Sequence, residues 1–257
     1  MTSAGPAIDQ PIDSDPEADL GRMSFLSHLD ELRRRLIYAI SALFVAFLAC
    51  WSYAPTIFRF IEEPVLRYLG PGEQLAFTKL TTPFFLYMKV AFFAGIFVAS
   101  PFVLLQFWLF ISPGLYKRER RYALPFIIFS SLFFIMGGAF GYLVVLPLAC
   151  AFFVEMGSDF RQVLTIDEYF SFAGKLLLGL GIVFETPILI FFLTRIGIVT
   201  PQFLLQKFKY AVVMTFIIAA IITPTPDMVT QSALAIPMIL LYLLGILVSF
   251  VFAPAKG

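Results

Sequence analysis

The sequence predicts an all-α polytopic membrane protein with six spanning helices, and three observations carry that prediction. Hydrophobic residues make up 60% of the 257-residue chain and charged residues only 14%, a balance that no water-soluble domain of this length needs to fill its core. The apolar residues fall in continuous runs of helical length rather than in alternation. In a solvent that cannot hydrogen-bond the backbone, that pattern selects helices over a closed barrel. The basic residues gather at the ends of the runs on one side, as cytoplasmic loops require.

Residues 1–22 contain Asp9, Asp13, Asp15, Glu17 and Asp19 with three prolines and no apolar period, so a disordered acidic cytoplasmic tail is expected there. A six-helix domain is expected over 23–253, with spans near 36–53, 84–110, 123–146, 170–193, 210–222 and 228–252. The first run could be mistaken for a signal peptide, but Asp30 and Glu31 interrupt its basic flank and it starts late, so it is kept as a span. The outer segment 54–82, with Pro55, Pro64 and Pro71, is too long for a simple turn. It is expected to hold a short interfacial helix around Thr56 to Glu63 and to cap the outer face. In the third span Gly137 and Gly141 form a small-xxx-small pair that lets a neighbour approach closely. Thr165 with Glu168 makes a capping box for the fourth. The fifth run reaches only about 20 Å, short of a hydrocarbon core of roughly 30 Å, so the bilayer thins there or polar flanks are drawn inward.

The densest basic clusters, Arg33 to Arg35 and Lys117 to Arg121, place both termini in the cytoplasm, in agreement with an even number of spans. Lys89 and Lys175 lie near span ends on the outer side and can snorkel outward. Cys50 and Cys150 fall near outer span ends. They are read as two buried free thiols, a disulfide being the alternative.

Glu185 stands inside an apolar run, where an ionisable group is costly and marks a functional site by default. A hydrogen-bonded glutamic acid that fixes helix packing is the other reading. On the cytoplasmic side, His28-Leu-Asp-Glu-Leu-Arg-Arg-Arg-Leu36 puts Leu29, Leu32 and Leu36 on one helical face and lets Asp30 and Glu31 pair with Arg34 and Arg35. Ser112 to Arg121 again sets a carboxylate, Glu119, among fixed cations. One reading makes these arginines topology anchors with Glu31 and Glu119 tempering their repulsion. The other makes the two carboxylates acceptors for a partner's guanidinium groups, in a bidentate geometry that lysine does not reproduce.

Four segments, His28-Leu-Asp-Glu-Leu-Arg, Phe110-Ile-Ser-Pro-Gly-Leu-Tyr-Lys-Arg-Glu-Arg-Arg, Phe184-Glu-Thr-Pro187 and Thr223-Pro-Thr-Pro-Asp227 with Gln231, resemble in order the signatures of the TatC family. That family supplies the core subunit of the twin-arginine protein translocase. The resemblance runs from about Phe25 to Val251. It implies a glove-shaped bundle in the bacterial inner membrane, a receptor for twin-arginine signal peptides, and a part in moving folded proteins across the membrane within a multimeric complex. It further implies that Glu31, Glu119, Arg33 and Phe110 belong to the signal-peptide surface and that Pro64 is a sensitive position of the outer cap. Glu185 would be a polar group on the concave face. Asp227 and Gln231 would lie at the turn and span contacted by small TatA and TatB type subunits. In the Thr-Pro-Thr-Pro-Asp turn the prolines are not adjacent, a departure from relatives in which they are.

No cofactor, metal or nucleic acid is expected; the partners are protein subunits, signal peptides and lipids. An enzyme is disfavoured, because the single histidine, His28, has no evident second ligand or nucleophile and no hydrolase or phosphate-binding motif occurs. The alternative is an ion-coupled transporter using Glu185 as proton carrier with Lys89 or Lys175.

Overall fold

The computed structural model describes residues 16–70, 74–111, 123–160, 163–223 and 228–252, with the backbone alone for 16–27 and for positions 111, 123, 124, 126 and 252. Glu119 and Asp227 therefore lie outside the described residues, as does the tail up to residue 15. Helix α1 (Pro16–Trp51) starts inside the segment expected as a tail. Proline opens a helix without losing a bond.

After α1 the chain forms α2 (Ala54–Leu66), α3 (Thr82–Ile111) and α4 (Ala123–Phe140). A π turn at Gly141–Val145 then leads without a break into α5 (Leu146–Met156). The third span thus reaches Met156, ten residues past its expected end at 146. Pro147 cannot donate to the Leu143 carbonyl, and the wider π turn absorbs that lost bond without ending the helix. The fourth span is α6 (Ile166–Phe184) followed by α7 (Thr186–Arg195), hinged at Glu185. Short α8 (Pro201–Gln206) is capped by the Thr200 hydroxyl, which accepts from Phe203 N–H at 3.2 Å. It leads to α9 (Phe208–Ile222) and α10 (Met228–Phe252).

Among the described residues, five helical spans are long and apolar enough to cross a bilayer, and α9 is a shorter apolar helix. Even with 15 residues, α9 measures about 22 Å, still well under the hydrocarbon thickness.

The bundle is organised around α6. Half of the most apolar stretch of the fourth span is buried, against 11% for the first. Leu176 and Leu180 are wholly enclosed together with Val145, Leu146 and Leu234. A second cluster, Phe58, Leu86, Val90 and Phe170, joins α2 to α3 and α6. Close approach depends on glycine, since lipid gives no hydrophobic force between helices and dense packing must replace it. A Cβ on Gly137 would stand 2.5 Å from the Leu180 carbonyl oxygen, and one on Gly95 would stand 3.0 Å from the Phe47 nitrogen. Cys50 and Cys150 are both buried and free.

The cap is tied down by backbone pairing. Ala76 N–H donates to the Leu164 carbonyl and Ile166 N–H to the Ala76 carbonyl, each at 2.8 Å. This pins the outer loop to the start of α6.

Candidate functional site

The cytoplasmic end of α1 turns its carboxylate inward and its leucines outward. Leu29, Leu32 and Leu36 are 40 to 54% exposed, whereas Glu31 and Arg35 are about one-fifth exposed and face α3. In lipid the apolar face is the outer one, so the leucine stripe marks the bilayer side and the polar pair marks the protein side. Arg35 Nη2 donates to Glu31 Oε1 at 3.3 Å, and Arg35 Nη1 donates to Gln106 Oε1 on α3 at 3.4 Å. One turn beyond Gln106, Phe110 stacks on His28 with centroids 4.5 Å apart and planes 18° from parallel.

The structure thus brings together Glu31 and Phe110 of the expected site through Arg35, Gln106 and His28. Arg33 is exposed and lies on the other side of α1. No Asp30–Arg34 ion pair occurs among the described residues. Sequence reasoning missed Gln106, which is buried. A glutamine in an apolar span four residues before Phe110 was its only signal.

In the membrane interior Glu185 accepts a hydrogen bond from the Ser130 hydroxyl of α4 through Oε2. Its Oε1 is buried without a partner among the described residues. The helix is interrupted at this point for a local reason. Pro187 cannot donate to the Val183 carbonyl, and the Thr186 hydroxyl donates to that oxygen instead, at 2.6 Å. Neither lysine considered as a partner meets Glu185. Lys89 pairs with Asp167 at 2.6 Å, and Lys175 lines a recess near the outer ends of α5 and α6.

Pro64 is buried inside α2. Its missing N–H frees the Phe60 carbonyl, which accepts from the Tyr142 hydroxyl at 2.7 Å while the two rings stack 4.2 Å apart. The next carbonyl, Ile61, accepts from Tyr169 at 2.6 Å. Burial pushes the neighbouring Glu62 carboxyl above its ordinary range, with Arg59 opposing.

Gln231 on α10 donates from Nε2 to the Phe216 carbonyl of α9 at 3.0 Å, joining the last two spans. The described residues contain no cluster of His, Cys, Asp and Glu able to hold a metal.

Fold and site together define a polytopic helical membrane protein whose cytoplasmic face presents a guanidinium-accepting carboxylate beside aromatic rings. The family described as "Sec-independent protein translocase protein (TatC)" matches residues 27–237, and the chain belongs to it. The Sec-independent protein translocase protein TatC of Koribacter versatilis (strain Ellin345) is 47% identical over 235 residues, which cover 90% of this chain and 87% of that one. The TatC of Helicobacter pylori (strain J99) is 42% identical over 89% of each. A crystal structure of the twin arginine translocase receptor TatC superposes with a TM-score of 0.77 at 37% identity, covering 87% of this chain and 98% of that chain. A second, in DDM, gives 0.78 at 38%. The chain is accordingly a multi-pass protein of the bacterial inner membrane, with the glove-shaped six-helix fold of that family.

Proposed function

We propose that this chain is the receptor and core subunit of a twin-arginine translocase, binding signal peptides through Glu31 and Glu119. The observation that supports it most is the Arg35 contact. Glu31 already accepts from a guanidinium, with a buried amide and an aromatic stack next to it. A signal-peptide arginine offers the same fork of donors. Glu119 supplies the second carboxylate, Phe110 flanks the bound chain, and Arg33 sets charge at the rim. The peptide's apolar stretch inserts along the bundle, with Glu185 as a polar foothold.

Asp227 and Gln231 belong to the region that TatA and TatB type subunits contact, and the working translocase is multimeric. The work is binding and assembly with no covalent chemistry, so the chain is not an enzyme.

The test is export of a folded twin-arginine reporter in cells that carry Glu31→Ala or Glu119→Ala in place of the wild-type chain. Losing one charge-assisted hydrogen bond costs about 1.5–3 kcal/mol, or roughly a tenfold to hundredfold loss of affinity. Each variant should therefore block export while still inserting in the membrane. Normal export in both would return these carboxylates to surface electrostatics.

A further inference from the structure

The recess near the outer ends of α5 and α6 has no role in the receptor account. Its volume is about 640 Å³, and Phe153, Val154, Phe172, Ile221 and Ile222 supply its apolar walls and floor. The floor is low because α9 is short. Ile222, its last residue, packs on Gly179 of α6, where an added Cβ would come within 3.0 Å of Ile222 Cδ1. Gly179 lies about 20 Å along α6 from its outer end. Above that level α5 and α6 continue but α9 does not, which leaves an apolar notch at outer-leaflet depth.

Two charges stand in the notch in a definite order. Glu168, Ser171 and Lys175 share one face of α6 and line it, with Lys175 about two turns deeper than Glu168. Both charged residues are exposed, and neither charged group has an ion-pair or hydrogen-bond partner among the described residues. Half of the expected capping box is missing: Thr165 Oγ1 accepts from Glu168 N–H at 3.4 Å, but the Glu168 carboxylate does not reach back and is left facing the notch. Side chains on a helix lean toward its N-terminus, so Lys175 reaches outward toward Glu168.

We propose that the notch binds one outer-leaflet aminophospholipid. Its acyl chain lies against Phe153, Phe172 and Ile221, its phosphate rests on Lys175 and its headgroup amine meets Glu168. In such a lipid the amine lies outward of the phosphate, which matches the order of the two side chains. The recess has room for the headgroup and the adjoining part of one acyl chain, the rest of the lipid lying in the bilayer. A free phosphate would leave the apolar walls bare.

The test is native mass spectrometry of the purified full chain after exchange into bilayers of phosphatidylethanolamine, phosphatidylcholine or phosphatidylglycerol. The wild type should retain one phosphatidylethanolamine in preference to the other two. Lys175→Gln should weaken retention about tenfold or more, by loss of a charge-assisted bond. Glu168→Gln should keep a phospholipid but lose the preference for the amine. Ile221→Trp, which fills the notch from an exposed position and leaves both charges in place, should expel the lipid. Unchanged retention in Lys175→Gln and Ile221→Trp would overturn the proposal, as would equal retention of all three lipids by the wild type or displacement of the lipid by inorganic phosphate.

Discussion

At the scale of single residues, several hydroxyl groups repair what proline breaks. Pro64 frees the Phe60 carbonyl for Tyr142, Pro187 frees Val183 for Thr186, and Pro101 frees Phe97, whose oxygen accepts from the Ser100 hydroxyl at 2.8 Å. In the membrane such carbonyls have no water to turn to, so a hydroxyl beside the proline keeps the bend from exposing bare backbone. Thr186→Val should therefore destabilise the protein by about 0.5–2 kcal/mol, read as a lower unfolding temperature in detergent, while Thr186→Ser should remain close to wild type. Equal losses in both would mean that the methyl group rather than the hydroxyl matters. The Ser-Pro and Thr-Pro pairs were visible in the sequence. Tyr142 above Pro64 was not, because 78 residues separate them and only the packed cap brings them together.

Among the helices, Gly137 and α9 impose the tightest geometric conditions. Gly137 lets α4 touch the backbone of α6, so Gly137→Ala pushes apart the two helices that also hold Ser130 and Glu185. The expected cost is about 1–3 kcal/mol, measurable as a fall in unfolding temperature. A stability equal to wild type would show that the helices shift without strain. Helix α9, with 15 residues, is shorter than the hydrocarbon core it would cross. Inserting one turn of apolar residues should reduce export, because the bilayer would no longer thin there. Undiminished export would contradict this. The glycine spacing and the shortness of α9 were legible in the sequence, since both are local. The continuation of the third span to Met156 was not, because a π turn that absorbs Pro147 leaves no pattern of its own.

Across the whole molecule, function follows from sidedness. Composition and basic clusters gave the class, the number of spans and the orientation, because a bilayer punishes any other arrangement of these residues. The cytoplasmic site was legible in part. Glu31 stood out as a carboxylate among arginines and Phe110 was pointed to only by the family resemblance, while Gln106 and the inward turn of α1 needed three-dimensional packing. The central claim is that Glu31 accepts a guanidinium from the signal peptide. Its most direct test is the affinity of the purified protein for a twin-arginine peptide and its twin-lysine counterpart, with the wild type and Glu31→Ala compared side by side. The account predicts that the wild type prefers arginine by about tenfold or more and that the variant loses most of this preference. Equal affinity for both peptides, or a preference that survives in Glu31→Ala, would contradict it.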